Sequence, residues 1–382
     1  MSRPLPPKEA LSPHPLLRLL ADFGNSQILD AAIEYDLFTH IHGGFHTYEE
    51  IARQAKTDPR ATRIVLDGLI ALALVEKRAG KYFLCPISEA FLVKEKPSYI
   101  GDFRHVTMAL WEGMAHLKET LRTGKPMGRM DTGTELETWE KIVTGIIPIV
   151  EPVAKALCDI LEIGIRRKGL RVLDIAGGSS IFGMTFLKRD PSTEITQLDW
   201  ANVNRVAKKL NQEWGLERKI HYIDGDFRKT PVQESFYQLV IASNFCRFES
   251  PRENREMFLK AYRSLESGGL MVINDFLPNE DRTGPTFPLR FSVYTLTHTP
   301  EGECYTYSQY SRWLADVGFL SIENHGDIPE TLPGTMARMS NRWSSCRPRL
   351  SSACSNFISL SLATKTSPGP KRATSAILNT LE

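Results

Sequence analysis

The hydrophobic and polar positions of the first hundred residues predict three helices followed by a hairpin. Apolar residues recur at helical spacing from Asp22 to Ile41, which predicts an amphipathic helix. Thr47 and Glu50 have the spacing of a capping box that opens a second helix. A third helix starts at Pro59, and two short apolar segments then turn at Gly80. The last two helices and the hairpin together predict a winged-helix unit.

A winged helix often binds DNA, and the polar pattern of this one argues against that use. Arg60 and Arg63 lie early in its second helix, but the rest of that helix is apolar throughout. Such a helix has no polar face for the major groove, so we expect a buried or dimer-forming role. A helical pattern then runs over 99–165, broken near Pro126, and predicts a helical linker.

From Gly169 the pattern changes to short apolar strands that alternate with amphipathic helices. This alternation predicts an α/β fold, a doubly wound parallel sheet with helices on both faces. The predicted strands are Arg171–Ile175, Glu194–Asp199, Ile220–Asp224, Tyr237–Ala242, Gly269–Asp275 and Leu320–Asn324. The predicted helices are Ile181–Lys188, Val203–Trp214, Glu253–Leu265 and Tyr307–Val317.

Composition and charge exclude several classes of protein. No apolar run is long enough to cross a membrane and the first residues lack the order of a signal peptide, so we expect a soluble, cytoplasmic protein. Six scattered cysteines predict neither disulfides nor a metal site. The net charge is +2, but residues 336–382 carry seven basic side chains and one acid, which leaves −4 for the rest. A mildly acidic body argues against nucleic-acid binding.

Candidate chemistry lies at the carboxyl ends of three successive strands. The first strand carries Asp174 and passes into a small-residue loop, Ala176–Ser180, where a ligand can approach the backbone closely. The second strand ends in Asp199, and the third leads into Asp226-Phe227. An acid at the second strand end can bind both ribose hydroxyls. No lysine of a phosphate-binding loop is present, so the pattern predicts a pocket for a nucleoside without phosphates.

These segments resemble the class I methyltransferases that use S-adenosylmethionine, and among them the small-molecule O-methyltransferases with an N-terminal dimerisation domain. The resemblance covers about residues 19–327, including VLDIAGGSS, ITQLDW, GDF and GGLMVINDF. It implies a Rossmann-like methyltransferase domain preceded by an all-helical, winged-helix dimerisation domain, and a homodimer with no nucleic-acid or membrane partner. The expected divisions are 1–120 for dimerisation, 121–168 for the linker, 169–335 for the methyltransferase domain and 336–382 for a basic tail.

The resemblance also implies roles for individual residues. Asp174, Gly177 and Gly178 match the loop that holds the methionine part of the cofactor. Asp199 matches the ribose-binding acid, Asp226 with Phe227 matches the adenine-binding pair, and Ser243 and Asn244 match the floor near the sulfonium. Trp200 and Gly225 are further candidate cofactor contacts. No metal site is implied.

The sequence departs from the family at the loop and at the expected base. Ala176 and Ser180 stand where the family has glycine, and Ser180 is expected to crowd the cofactor or to strain the backbone. Arg247 stands where plant-type relatives have a catalytic histidine, and an arginine cannot accept a proton from a hydroxyl. Asp275 matches an acid that supports that histidine, and His298 borders the expected substrate cavity; these three are the candidate catalytic residues.

Several interpretations of Arg247 and His298 stay open at this point. Arg247 is expected to pair with Asp275, to clamp an anionic group of the substrate, or to face solvent or a carboxylate after a one-residue shift. His298 is more often a structural residue than a catalytic one in such a setting. The predicted function is methylation of a small aromatic or polyketide-like molecule, most simply on oxygen and without a histidine base. The alternatives are carbon or nitrogen methylation, other chemistry on the same fold, or a ligand-binding paralogue without turnover.

The tail, residues 336–382, contains ten serines and begins where the family places a final antiparallel strand. Its composition predicts a replaced or out-of-frame terminus that is mostly disordered. The sheet is then either one strand short or completed by Phe357–Leu362.

Overall fold

The N-terminal part of the chain folds as helices and one hairpin around a small apolar core. A computed structural model describes residues 12–128, 136–216, 219–327 and 359–365. The chain divides into two compact units, residues 1–104 and 105–382. The helices of the first unit are α1 His14–Ala21, α2 Phe23–Glu34, α3 Leu37–His42, α4 Tyr48–Ala55, α5 Pro59–Ala71 and α6 Pro86–Phe91, and its hairpin is β1 Val75–Arg78 and β2 Lys81–Leu84.

The predicted winged-helix pattern is confirmed in this unit. The Thr47 side chain accepts from the Glu50 backbone N–H and the Glu50 carboxylate accepts from that of Thr47, so the capping box forms. The single helix predicted over Asp22–Ile41 is wrong, because the chain breaks into α2 and α3. Asp36 takes a left-handed conformation there, with φ of 55°, which ends one helix and starts the next.

The second unit begins with helices and continues as a seven-stranded sheet with helices on both faces. The first helices are α7 Arg104–Ala115, α8 Leu117–Thr123, α9 Leu136–Gly145 and α10 Ile147–Ile160. The strands are β3 Arg171–Ile175, β4 Glu194–Asp199, β5 Ile220–Asp224, β6 Tyr237–Ser243, β7 Leu265–Asp275, β8 Leu320–Asp327 and β9 Ser359–Thr364. The later helices are α11 Ile181–Arg189, α12 Ala201–Glu213, α13 Pro251–Ser264, α14 Thr286–His298 and α15 Tyr307–Asp316.

The order of the strands is β5-β4-β3-β6-β7-β9-β8, so the chain reverses its direction of travel across the sheet after β5. Strands β3 to β7 are parallel, and their carboxyl ends therefore meet at one edge. Ligands bind such sheets outside that edge, next to the reversal, which here lies between β3 and β6. The predicted Rossmann-like α/β fold is confirmed.

One strand lies inside the tail. Strand β9 pairs antiparallel with β7 on one side and with β8 on the other. The expectation of a sheet one strand short is therefore wrong, and the alternative of a completing strand near Phe357–Leu362 is confirmed with a shift of two residues. Apart from residues 359–365, the tail lies outside the described ranges. The expected boundaries at residues 120, 168 and 335 stay predictions.

Candidate functional site

A cleft opens at the carboxyl ends of β3, β4, β5 and β6, within the second unit. The space within it, including its opening to solvent, amounts to about 850 Å³. Seven of the predicted cofactor residues line it: Gly178, Asp199, Trp200, Gly225, Phe227, Ser243 and Asn244. The strand-end pattern in the sequence therefore points to one continuous site.

The loop after β3 turns sharply into α11 through left-handed backbone. Ala176, Gly178 and Ser180 have φ values of 54°, 58° and 65°. A Cβ on Gly177 would lie 2.7 Å from Oε1 of Gln197 and 2.9 Å from Cγ of Asp174, so only glycine fits at that position. A Cβ on Gly178 would project toward Val143, another residue that lines the cleft. Both glycines thus keep the loop close to its neighbours and open to a ligand.

Ser180 meets one of the two expectations stated for it. Its backbone is left-handed, which favours glycine, so the predicted strain is present. Its hydroxyl donates to Oε1 of Gln197, and the residue is fully buried, so the side chain points into the protein. The expected crowding of the cleft by this side chain does not occur, because Ser180 is not among its lining residues in the described part of the chain.

Asp174 lies behind the loop with an unusual environment for a carboxyl group. It is 1% exposed, and neither carboxyl oxygen has a hydrogen-bonding partner among the described residues. Burial, with a smaller contribution from the charge of Asp199, raises the pKa of Asp174 to about 8. The group is therefore mostly a neutral acid at neutral pH, and it lacks a cationic or donor partner.

Asp199 is held at the end of β4 by backbone amides. Gly178 N–H donates to its Oδ2 at 2.9 Å, and Trp200 N–H donates to its Oδ1 at 2.7 Å. Burial raises the pKa of Asp199 to about 6, against these two hydrogen bonds, which lower it. Each oxygen keeps a lone pair that can accept from a ligand hydroxyl.

The loop after β5 places the aromatic ring of Phe227 in the cleft and directs the carboxylate of Asp226 toward Arg228. Phe227 lines the cleft and packs edge-on against Phe245, with ring centroids 4.9 Å apart. The Asp226 carboxylate accepts from the backbone N–H of Arg228 at 2.9 Å and from its Nη1 at 3.2 Å. Among the described residues, Asp226 is not one of those that line the cleft.

Ser243 and Asn244 form the wall of the cleft at the end of β6. Asn244 has a left-handed backbone, with φ of 60°, and its N–H donates to the carbonyl of Asn274 at 2.7 Å. The Asn274 side chain donates to the Ser243 hydroxyl at 2.8 Å. These bonds fix the two residues beside the neighbouring strand β7.

Arg247 is a buried cation paired with Asp275. Its Nη1 donates to Asp275 Oδ1 at 2.6 Å, and its backbone N–H donates to the other carboxyl oxygen at 2.9 Å. Three aromatic rings surround the guanidinium, with centroids 4.3 to 4.6 Å from Cζ: Phe248, Phe276 and Phe291. Tyr310 also donates to Asp275, at 3.0 Å. Of the interpretations left open, the geometry matches the ion pair.

His298 is buried and bound to backbone groups. Its Nε2 lies 3.1 Å from the carbonyl oxygen of Ala109, and its Nδ1 lies 2.8 Å from that of Tyr294. A side chain on Gly113 or Gly128 would collide with the imidazole. His298 therefore joins α14 to α7, and it is not among the described residues that line the cleft.

The sequence pattern did not predict two parts of the cleft. Trp139, Ile142 and Val143 of α9 form one wall, and the Trp139 ring packs against Trp200 with centroids 6.0 Å apart. The apolar face of that helix was the available signal. At another wall, Nη2 of Arg228 donates to both oxygens of Glu249, at 2.7 and 2.6 Å.

Glu249 adds a second carboxyl group to the cleft wall. Burial raises its pKa to about 7, although the Arg228 guanidinium lowers it. Within the described ranges, no group of three His, Cys, Asp or Glu side chains is placed to hold a metal ion. In the same part of the chain, none of the helices has the length and apolar character needed to cross a membrane.

Comparison with known proteins agrees with this geometry. Residues 17–94 match the O-methyltransferase dimerisation domain, and residues 162–320 match the O-methyltransferase domain. The chain is 24% identical to the tetracenomycin polyketide synthesis 8-O-methyl transferase TcmO of Streptomyces glaucescens, over 84% of this chain and 95% of that protein. It is 24% identical to the L-tyrosine C(3)-methyltransferase of Streptomyces lavendulae, over 78% and 84%.

The fold also matches a solved structure, that of human N-acetylserotonin methyltransferase in complex with S-adenosylmethionine. The TM-score is 0.73 at 20% identity, over 95% of this chain and all of the other. Two domain matches in the family's order, together with relatives aligned over most of their length, establish the kinship. The chain belongs to the O-methyltransferases that carry an N-terminal dimerisation domain.

Proposed function

We propose that this protein transfers the methyl group of S-adenosylmethionine to a hydroxyl oxygen of a small aromatic or polyketide-like molecule. The observation that carries the proposal is the cleft itself. Gly178 of the glycine loop and the strand-end carboxylate Asp199 line it. The unpartnered acid Asp174 lies buried behind the loop, outside the lining residues of the described part of the chain, and the three together support this cofactor.

Asp174 provides the test of fit. Its two buried oxygens have no partner among the described residues, and the ammonium of the methionine part of the cofactor is a cation that would supply one. Gly177 and Gly178 give that part close access to the backbone. The unpartnered acid and the glycine loop support the assignment of the methionine part to this end of the cleft.

The remaining cofactor contacts follow from the same fit. Asp199 would accept from the two ribose hydroxyls, because both of its oxygens keep a free lone pair. Trp200, Gly225 and Phe227 would enclose the adenine. Asp226 would contribute indirectly by holding Arg228 in place, since its carboxylate already accepts a hydrogen bond from that residue. Ser243 and Asn244 would lie nearest the sulfonium.

When bound, S-adenosylmethionine supplies a methyl group that an incoming nucleophile displaces in line from sulfur. The chain's own contribution is to hold the acceptor in line, which can lower the barrier by roughly 7 to 11 kcal/mol. General-base assistance would add about 10² to 10⁴-fold. Neither Arg247, paired with Asp275, nor His298, bonded to carbonyls, is free to act as that base. The acceptor is therefore expected to be acidic by itself, as a phenol is.

A second candidate function is methylation on carbon or nitrogen. It is favoured by the similarity to the L-tyrosine C(3)-methyltransferase, and by the ion pair with Asp275 that Arg247 forms at the place of the expected base. A paralogue that binds the cofactor without turnover is the non-enzymatic alternative. Turnover with matched hydroxyl, amine and activated-carbon acceptors distinguishes the three.

The first unit is proposed to form a homodimer. Helix α1 exposes four leucines, Leu16, Leu17, Leu19 and Leu20, with exposed fractions of 56% to 75%. Such a stripe is expected to be covered by another apolar surface, and the dimerisation-domain match favours a second copy. The proposal also includes a small-molecule acceptor as partner, no nucleic-acid or membrane partner, and a cytoplasmic location.

Calorimetric titration with S-adenosylhomocysteine tests the cofactor site, with Asp199→Ala as the inactive comparison and Asp316→Ala, on a distant helix, as the matched control. We expect saturable binding for the wild type and for the control, and loss of at least about a hundredfold in affinity for Asp199→Ala, the size of two lost charge-assisted bonds. The absence of wild-type binding at millimolar ligand would overturn the proposal.

A further inference from the structure

A single buried side chain on β4 holds the strained loop of the cleft. Gln197 is fully buried. Its Oε1 accepts from the Ser180 hydroxyl, and its Nε2 donates to the carbonyl of Gly178 at 3.2 Å. Gln197 also packs directly beneath Gly177, at the position where a Cβ would lie. The Gln197 amide therefore contacts the loop at Gly177, Gly178 and Ser180.

The backbone of this loop is unfavourable for the residues that it contains. Ala176 and Ser180 both take left-handed conformations that side chains other than glycine rarely adopt. Such a conformation persists only where the surroundings enforce it. The bonds from Gln197 to Gly178 and Ser180 are placed to do so.

The Gln197 amide is also connected by hydrogen bonds to the carboxyl ends of β4 and β5. Gln197 Nε2 also donates to Oδ1 of Asn204, at 3.0 Å. The Asn204 side chain in turn donates to the carbonyl of Asp199 at 3.1 Å and to Oδ1 of Asp224 at 2.7 Å. A continuous buried network thus fixes the loop after β3 relative to the ends of β4 and β5.

We infer that Gln197 is a positioning residue that keeps the loop 176–180 in its cofactor-binding conformation, a task that glycines at 176 and 180 would make unnecessary. Gln197 does not itself line the cleft among the described residues, so it acts through Gly178 and Ser180. The inference rests on the proposed function, since the ligand in question is the adenosyl cofactor.

Substitution of Gln197 by methionine keeps the volume and removes the hydrogen bonds. We expect Gln197→Met to weaken S-adenosylhomocysteine binding about tenfold, because the two hydrogen bonds that join Gln197 to the loop are lost. The KM for the cofactor is expected to rise by a similar factor with little change in kcat. The matched control is Gln238→Met, which removes a glutamine bond to Arg171 N–H at the opposite end of β3 and is expected to leave the affinity unchanged.

Rescue separates positioning from general stability. Adding Ser180→Gly to Gln197→Met lets the backbone take the left-handed conformation without strain, and we expect most of the lost affinity to return. Unchanged binding by Gln197→Met, or a loss that Ser180→Gly fails to restore, would overturn the inference. Failure of the wild type to bind would instead contradict the proposed function.

A comparison within the loop covers the case in which Gln197→Met does not fold. Ser180→Ala removes the bond to Gln197 and keeps the disfavoured conformation, whereas Ser180→Gly removes both the bond and the strain. We expect Ser180→Ala to bind S-adenosylhomocysteine about fivefold more weakly than Ser180→Gly, from the left-handed preference alone. An affinity of Ser180→Ala equal to that of the wild type, which keeps the bond to Gln197, would contradict the inference.

Discussion

Replacement of Asp174 by asparagine is expected to stabilise the protein and to damage its cofactor site at the same time. The carboxyl group is buried and unpartnered among the described residues, and its pKa rises from 3.8 to about 8 on folding. Between these two values the folded protein binds a proton that the unfolded chain releases. Stability is therefore lost as pH rises from about 4 to about 8.

The size of the effect follows from the pKa shift. Each pH unit in that window costs about 1.4 kcal/mol, so at pH 7 the cost reaches about 4 kcal/mol. The amide of the Asp174→Asn variant does not titrate, so this cost is absent from it. The difference in unfolding free energy between Asp174→Asn and the wild type is expected to grow by about 3 kcal/mol from pH 5 to pH 7.

Urea unfolding of both proteins at pH 5, 6 and 7 measures this difference. Asp190→Asn is the matched control, because hydrogen bonds from Gly169, Ser192 and Thr193 lower the pKa of that acid. It is expected to destabilise the protein by a nearly constant amount across the same range. A difference between Asp174→Asn and the wild type that does not change with pH would refute the reasoning.

Three further predictions concern the buried pair, the exposed helix and the missing base. Arg247→Met is expected to destabilise the protein by roughly 3 to 5 kcal/mol by leaving Asp275 unpaired, and adding Asp275→Asn is expected to recover most of this in urea unfolding. Serine at both Leu16 and Leu20 is expected to convert a dimer to a monomer by light scattering, whereas serine at the exposed Leu121 leaves its mass unchanged. With a series of phenols of different acidity, kcat/KM is expected to rise about tenfold per pH unit until the pH reaches the pKa of each phenol. If kcat/KM instead levels off near pH 6 to 7 for every phenol, a side chain of the protein acts as the base.

The fold was largely predictable because its strands are short apolar runs between clear turn residues. The bounds of β3, β4 and β5 agree with the prediction to the residue, and their parallel pairing brings the strand-end residues Gly178, Asp199 and Phe227 together. Strand β9 was harder, because its pairing with β7 and β8 joins residues far apart in sequence. The serine content of its segment also outweighed its short alternating pattern.

The details of the site depended on contacts that sequence spacing does not encode. The Asp226 carboxylate is directed away from the cleft because it accepts a hydrogen bond from Arg228. The same arginine also donates to Glu249, which lies in the cleft wall. The Ser180 side chain points away from the cleft because its hydroxyl donates a hydrogen bond to a buried glutamine on the next strand. Each outcome is decided by a partner from another loop or strand, which only the folded chain brings near.

We expect this chain to methylate oxygen. The most direct measurement incubates the full chain with S-adenosylmethionine labelled with ¹³C at the methyl group and with three matched acceptors: a naphthol, the corresponding naphthylamine and a naphthol blocked at oxygen. The product is read by nuclear magnetic resonance, with Asp199→Ala as the control. We predict a labelled methyl signal in the oxygen-bound region, from the naphthol alone and lost in the control. Label bound to nitrogen or carbon, or no transfer by a protein that binds the cofactor, would contradict the account.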